Sequence, residues 1–263
     1  MILSDEKTSA TRKLHEQMDA FYASCPTYSA FQEPSHAAQE WNHVKAAILE
    51  HDLSKGRCRV LEFGAGRSGF AEFLGELRSS VDLTLQDVTP VNEAYLRARA
   101  DRVQMGSLLD LEGEFDVIFS TFVLEHICEP ERTLEKLMSL LVPGGSLFLF
   151  CPRYDFPFFI SHSADHYGVA QRVMLGTEVL WKRVRSIVTR RPAFIIHLDP
   201  AALRLEWLMD RDAIHWASLV DLRIFFRHRG RLRKLPIQAG SLRDWIVKKL
   251  LRINIRFVKA LSA

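Results

Sequence analysis

No stretch of this sequence approaches the ~18 consecutive apolar residues of a membrane-spanning helix, which excludes an integral helical membrane protein. The segment from Met1 to Lys13 is polar and charged. It lacks an apolar core and a small-residue cleavage site, so no secretory signal is expected. Cysteine is scarce. Cys25, Cys58, Cys128 and Cys151 are scattered with no C-x-x-C pair, which excludes a disulfide framework and argues against structural zinc. Reduced packing thiols in a cytoplasmic protein are the expectation. Internal repeats and low-complexity segments are missing, as is the aromatic-basic interleaving of RNA-recognition modules, so nucleic acid ranks low among partners.

Among its 263 residues, 48% are hydrophobic and 25% charged, which suits one soluble α/β domain with decorations and a full core. The net charge of +3 hides an asymmetry. Residues 1–180 hold 16 Lys+Arg against 26 Asp+Glu, a net of −10, while residues 181–263 hold 19 against 6, a net of +13. A basic C-terminal part points to an anionic partner, or to a solvated surface that balances the acidic body.

Trp41, Val44, Ile48 and Leu49 recur at helical spacing within 11–51. From Arg57 the texture becomes regular. Apolar runs predict strands at Arg57–Phe63, Val81–Asp87, Arg102–Met105, Phe115–Ser120 and Ser146–Phe150. Helices are predicted between them at Ser68–Leu77, Val91–Ala100 and Glu131–Leu141, the last stopped by Pro143-Gly144-Gly145. Strict alternation implies right-handed crossovers and a parallel sheet. Further on, helices are predicted at 169–189 and Ser218–His228 and a strand near Leu232–Ile237. Residues 241–263 fit two patterns. Trp245, Leu250, Ile253 and Phe257 suit an amphipathic helix, whereas Ile253, Ile255 and Phe257 alternating with Arg252, Asn254 and Arg256 suit a strand.

Glu62-Phe63-Gly64-Ala65-Gly66-Arg67-Ser68-Gly69 joins the first strand to the first helix. Glycines there allow a tight turn and close backbone approach to a ligand at the sheet's carboxyl edge. The G-x-G-x-x-G alone equally fits a dinucleotide site. Asp87 ends the second strand, where a carboxylate can accept hydrogen bonds from both hydroxyls of a ribose. Glu62, two residues before the first glycine, and the runs FDVIFSTFVLEHI and LLVPGGSLFLFCP decide between the readings.

With these motifs, residues 57–152 resemble the class I S-adenosylmethionine-dependent methyltransferases, in particular the branch with Leu-Glu-His after the fourth strand. That branch includes ubiquinone-pathway, small-molecule and glycan-associated enzymes. The resemblance implies a doubly wound, seven-stranded, mostly parallel sheet and S-adenosylmethionine as cofactor. It implies that Glu62, Phe63, Gly64, Ala65 and Gly66 hold the amino-acid end. Asp87 then takes the ribose with Val88 beside the adenine, Ser107 and Leu108 flank the adenine, and Thr121 and Phe122 line the methionyl side. The branch often has an acid where Ser107 stands. In its ubiquinone-type members a Glu-x-x-Glu-His cluster can hold a divalent metal; here Phe122 replaces the first acid, and no metal is expected.

An oxygen or nitrogen nucleophile needs a base as well as alignment. His126, just after the fourth strand, is the candidate, with Glu125 to orient it; packing at a helix start is the alternative. Tyr154, His162, His166 and Tyr167, with Asp155 and Asp165, crowd the segment after the fifth strand, where acceptor walls form. His215 and Trp216 are further acceptor candidates, and Tyr28-x-x-Phe31-Gln32-Glu33-Pro34 a candidate lid. His15, His36, His43 and His51 show no ligand grouping.

The sequence therefore predicts an N-terminal helical cap (1–55), a cofactor-binding core (56–152), and an acceptor-side insertion with the remaining sheet and a basic tail (153–263). The expected reaction is O-methylation of a small-molecule, glycan or lipid-linked acceptor. Alternatives are an NAD(P)-dependent oxidoreductase on the same turn and a non-catalytic relative. The basic clusters, Arg183, Arg185, Arg190 and Arg191 among them, and the tail predict peripheral contact with an anionic membrane at its inner face.

Overall fold

In the computed structural model of the protein the described residues are 13–18, 20–22, 37–52, 54, 56–155, 159, 161–199, 212–237 and 240–261. Seven strands, β1 (Cys58–Phe63), β2 (Val81–Asp87), β3 (Arg102–Met105), β4 (Phe115–Thr121), β5 (Leu141–Pro152), β6 (Gly230–Lys234) and β7 (Arg252–Lys259), form one sheet in the order β3-β2-β1-β4-β5-β7-β6. The first five run parallel, and β7 is antiparallel to both neighbours. Strand order reverses between β1 and β4, so the loops after β1 and β4 part there and leave a crevice at the carboxyl edge.

Alternate residues of each strand face opposite sides, and both sides are covered. Leu61, Phe63, Ile118, Leu147, Leu149, Ile255 and Phe257 join one buried cluster; Val60, Leu83, Phe119, Phe148 and Phe150 join the other. Helix α1 (Ala38–Leu49) adds Trp41, Val44 and Ile48 to the second cluster, while Leu49 stays exposed. The crossovers are short helices, α2 (Phe70–Leu74), α3 (Glu93–Arg97) and α4 (Pro130–Leu140). After β5 come α5 (Val169–Thr189) and α6 (Leu219–Phe226), and α7 (Leu242–Leu251) leads into β7.

Several elements differ from the sequence expectation. The predicted Ser68–Leu77 helix is α-helical only to Leu74, because Gly75 turns left-handed and a 3-10 segment follows to Ser80. The helix expected at Val91–Ala100 begins with a 3-10 turn at Pro90–Asn92 capped by Thr89, and α3 ends at Arg97. The last strand before the tail is Gly230–Lys234 rather than 232–237. Pro143-Gly144-Gly145 does not stop α4, which ends at Leu140. It lies inside β5, where the pairing jumps from Phe115–Leu141 to Val117–Ser146. A Cβ at Gly145 would lie 3.0 Å from the Asp116 carbonyl, so the close strand approach needs glycine. The tail adopts both patterns in succession: α7 has no buried residue, and β7 buries Ile253, Ile255 and Phe257 in the sheet.

Candidate active site

Glu62, next to last in β1, is buried, and its Oε2 has no hydrogen-bond partner among the described residues. Burial, opposed by a hydrogen bond from Ser68 and reinforced by Asp87, pushes its carboxyl up to about 8. Phe63 and Ala65 are buried on either side of the loop's first glycine. Gly64 and Gly66 have φ of +67° and +55°, which side chains other than glycine seldom adopt. A Cβ at Gly64 would lie 2.5 Å from the Val123 side chain, so the loop after β1 abuts the turn after β4. Around Gly66 there is open space, and a ligand can reach the backbone.

The glycine amides are already engaged. Gly64 N–H donates to Gln86 Oε1 at 3.2 Å, and Gly66 N–H to Asp87 Oδ2 at 2.6 Å. Asp87 Oδ1 accepts from Thr89 N–H at 2.9 Å. Burial raises the Asp87 carboxyl, and the backbone amides of Thr89, Gly66 and Val88 oppose the shift. Asp87 therefore shapes the loop while keeping further lone pairs. Gln86 clamps the same loop, its Nε2 donating to the Gly106 carbonyl at 2.6 Å. The sequence reading missed Gln86, whose only signal was a polar residue inside an apolar strand. Val88 is 54% exposed beside Asp87, an uncovered apolar surface at the carboxyl edge. Leu108 is buried, and Ser107 caps the 3-10 turn Leu108–Asp110 by accepting from Leu109 N–H, which gives that serine a local structural task.

At the end of β4, Thr121 Oγ1 is buried with no partner among the described residues. Phe122 has φ +57°, costly for a bulky residue, and its N–H donates to the Phe150 carbonyl at 2.7 Å. That turn leads directly into the 3-10 segment Leu124–His126. His126 Nδ1 lies 3.2 Å from the Asp212 carbonyl and 3.3 Å from its Oδ2. Tyr22 Oη donates to the same Oδ2 at 3.0 Å. Glu125 is fully buried, its Oε1 4.0 Å from His126 Nε2. Asp212 and Tyr22 escaped the sequence reading, because they lie 86 and 104 positions from His126 and belong to no motif.

The acceptor-side candidates divide. His215 is a correction. It is buried behind the Leu124–His126 turn, its backbone N–H donating to the Glu125 carbonyl and its Nδ1 2.8 Å from the Leu124 carbonyl. Burial pushes its imidazole down to about 4, so it props the turn as a neutral ring. Trp216 and Tyr154 are corrections of the same kind: both are fully buried in a third apolar cluster, with Tyr154 stacked on Phe159 at 5.7 Å. An apolar environment draws these rings inward. His162 is exposed and bound to Asp165 at 2.7 Å. His166 meets Asp199 at 2.8 Å, and Tyr167 Oη meets His197 Nε2 at 3.2 Å. Tyr167 also edges an open groove of about 720 Å³ with Gln171, Met174, Leu175, Glu178 and Asp199. No lining residue of that groove belongs to the loops after β1, β2 or β4. Arg183, expected in an exposed basic cluster, is buried against Asp221, a further correction. The lid Tyr28–Pro34 lies outside the described residues.

His51, Cys58 and Asp116 are the one metal-like grouping among the described residues. Asp116 is committed to Arg59, and burial pushes the Cys58 thiol up to about 12, so the donor set suits a metal poorly.

A sheet of this order, with one left-handed glycine loop over its switch point and an acid ending β2, is that of the class I S-adenosylmethionine-dependent methyltransferases. The family profile described as a methyltransferase domain matches residues 16–230. The chain belongs to that family, and the oxidoreductase alternative falls with the match. Among curated proteins it is similar to a ubiquinone biosynthesis O-methyltransferase of Xanthomonas axonopodis pv. citri, 33% identical over 128 residues, covering 45% of this chain and 52% of that protein. An uncharacterised Synechococcus protein is 38% identical over 106 residues, 36% of this chain and 25% of that one. The matches thus span about half or less of these relatives' length. Among solved structures, the CurJ carbon methyltransferase shares the fold at TM-score 0.52 and 16% identity, covering 86% of this chain and 56% of that one. An O-methyltransferase family protein from Burkholderia thailandensis does so at TM-score 0.51 and 12% identity, covering 94% and 63%.

Proposed function

We propose that this chain moves the methyl group of S-adenosylmethionine to an oxygen atom of a small-molecule, glycan or lipid-linked acceptor, acting from the cytoplasm at the inner face of a membrane. The clamp on His126 carries the oxygen assignment. Two acceptors of Asp212 face Nδ1, so the proton of the neutral imidazole belongs on Nδ1 and the lone pair on Nε2. A ring held in that tautomer can take the proton of a hydroxyl. The Xanthomonas relative, named for O-methylation, supports the same reading. Labelled methyl transfer to a cell extract divided into lipid, small-molecule, glycan, protein and RNA fractions tests it. Label in a lipid, small-molecule or glycan fraction is expected; label confined to protein or RNA overturns the acceptor class.

The residues fit the cofactor. A buried carboxylate oxygen without a partner at Glu62 suits an α-ammonium group, and the space over Gly66 admits the chain that carries it. Asp87 offers its remaining lone pairs to a ribose, Val88 its apolar surface to a purine. When bound, the cofactor supplies a methyl carbon already activated by its sulfonium. What remains for the chain is alignment and removal of the acceptor proton.

Glu62 links binding to pH. Its folded pKa lies above the ordinary 4.5, so the ligand-free protein loses stability as pH rises from about 4.5 to 8. An ammonium partner favours the ionised carboxylate. Below pH 8, S-adenosylhomocysteine binding therefore releases up to about one proton, and affinity rises by up to about tenfold per pH unit before levelling near 8. Calorimetry at pH 7 in buffers of different ionisation enthalpy reads the proton directly; a heat that does not depend on the buffer overturns the pairing.

Asp87→Ala removes charge-assisted hydrogen bonds worth about 1.5–3 kcal/mol, so S-adenosylhomocysteine affinity falls about ten- to a hundredfold. The melting temperature of the ligand-free protein falls as well, since the amides of Gly66 and Thr89 lose their acceptor. Unchanged affinity in a folded variant would show that another acid holds the ribose.

A further inference from the structure

Helix α5 presents its apolar side to solvent. Its buried positions are Gly176, Val179, Arg183 and Ser186. At 100° per residue the opposite side, from Ile187 round to Met174, spans roughly 140° and carries Val173, Leu180, Trp181, Val184 and Val188 with no charged residue among them. Trp181 is 68% exposed, Met174 71% and Val188 76%. Isolated exposed apolar residues are ordinary, but a continuous stripe along a 21-residue helix calls for an occupant.

The charge around the stripe narrows the choice. Arg185 borders it, Arg190 and Arg191 follow its C-terminal end, and none of the three has an ion-pair partner among the described residues; Glu178, the one acid of α5, is taken by Lys182 at 2.6 Å. Two copies packed stripe to stripe with their helices parallel would bring these arginines together with no free carboxylate of α5 to meet them. An anionic surface meets them without that penalty. No described helix is long and apolar enough to cross a membrane, so the geometry is that of a helix lying in the plane.

The placement fits as well. α7 is also unpacked, exposing Leu242, Trp245 and Val247, and it joins β7 at Arg252, which pairs with Pro152 at the carboxyl end of β5. The Arg252 guanidinium lies 5.3 Å from the Phe122 ring. α5 belongs to the connection that leaves the same end of β5, beginning at Val169 after Pro152. α7 thus hangs from the sheet edge that carries the site, and α5 lies in the insertion that starts from it.

We propose that the apolar stripe of α5 seats in the interface of an anionic lipid bilayer, with α7 beside it, so that the carboxyl edge of the sheet faces the membrane from which the acceptor comes. The choice of acceptor source rests on the amphiphilic-acceptor reading above; the docking itself does not. The membrane contact expected from residues 241–263 moves chiefly to α5, because Arg252–Lys259 of that tail is a strand of the sheet.

The test is co-sedimentation of the full chain with phosphatidylglycerol–phosphatidylcholine vesicles and with pure phosphatidylcholine vesicles, at low and high salt. Three cations at about fivefold each predict a preference near a hundredfold for the anionic vesicles, reduced by salt. Trp181→Glu/Val188→Glu should lose binding by more than about tenfold while its melting temperature and S-adenosylhomocysteine affinity stay unchanged, because both side chains are exposed. Equal, weak binding to the two vesicle types overturns the proposal. So does normal binding of the α5 variant when Trp245→Glu abolishes it, which would return the contact to the tail. A wild-type dimer that the α5 variant splits, with no vesicle binding by either, overturns it in favour of a second copy. Vesicle binding that persists in a chain with no affinity for S-adenosylhomocysteine upholds docking and removes the methyl-transfer reading instead.

Discussion

Replacing His126 by Ala lowers the rate of methyl transfer by about 10²–10⁴ while the affinity for S-adenosylhomocysteine stays near normal. The reasoning is local. The ring sits on the turn after β4, next to the loop after β1 that Gly64 and Val123 hold together, and Asp212 fixes its Nδ1. A base in that tautomer acts only on the acceptor proton, so its loss leaves the cofactor contacts intact. Single-turnover rates with saturating cofactor give the chemical step; a loss under about threefold would leave His126 as packing. Asp212→Asn serves as the control for positioning. An amide in place of the carboxylate removes the charge facing the imidazolium and weakens the preference for the Nδ1 proton. The limb of the pH–rate profile set by His126 should then move to lower pH, with kcat reduced and KM nearly constant. A structural Asp212 would change stability and leave the profile in place.

What the sequence disclosed follows from where the chemistry lies along the chain. Glu62, Gly64, Gly66 and Asp87 sit at strand ends, and alternating apolar runs mark strand ends clearly, so the loop and its acid were legible. The parallel sheet followed from the same alternation, and its seven-stranded, doubly wound form from the resemblance. Long-range partners left no comparable trace. Asp212 reaches His126, Arg183 reaches Asp221 and His215 reaches Leu124 only once the insertion after β5 has folded back. Polar residues of such a segment look alike in sequence whether they line a pocket or brace a turn. That is why Tyr154 and His215 were read as acceptor contacts and are instead buried. The tail shows a different limit. A window over 241–263 averaged two elements, and the break at Arg252 is set by β7 pairing with β5 and β6 rather than by local preference.

Asp221→Ala should cost about 3–5 kcal/mol of stability, the effect of leaving a buried charge unpaired. Arg183 is 4% exposed and Asp221 fully buried, and the pair joins the middle of α5 to the first turn of α6. Burial holds the Arg183 guanidinium below its ordinary pKa, with Asp221 and Asp155 opposing the shift, yet it stays charged. Asp221 also accepts the amides of Ala193 and Phe194, each at 3.1 Å, so one substitution strands three donors. Urea unfolding measures the loss; a change under about 1 kcal/mol would mean that water reaches the pair and solvates the charge. Arg183→Met/Asp221→Asn should be less damaging than Asp221→Ala, since it removes the buried charge and keeps an acceptor for one of the two amides. The effect also reaches the site. Arg183 donates to the Trp216 carbonyl at 2.5 Å, and the neighbouring His215 supports the turn that carries His126. At temperatures where Asp221→Ala remains folded, methyl transfer should therefore fall more than cofactor affinity, because the hydrogen bonds of this pair go to Trp216, Ala193 and Phe194 rather than to the loop after β1.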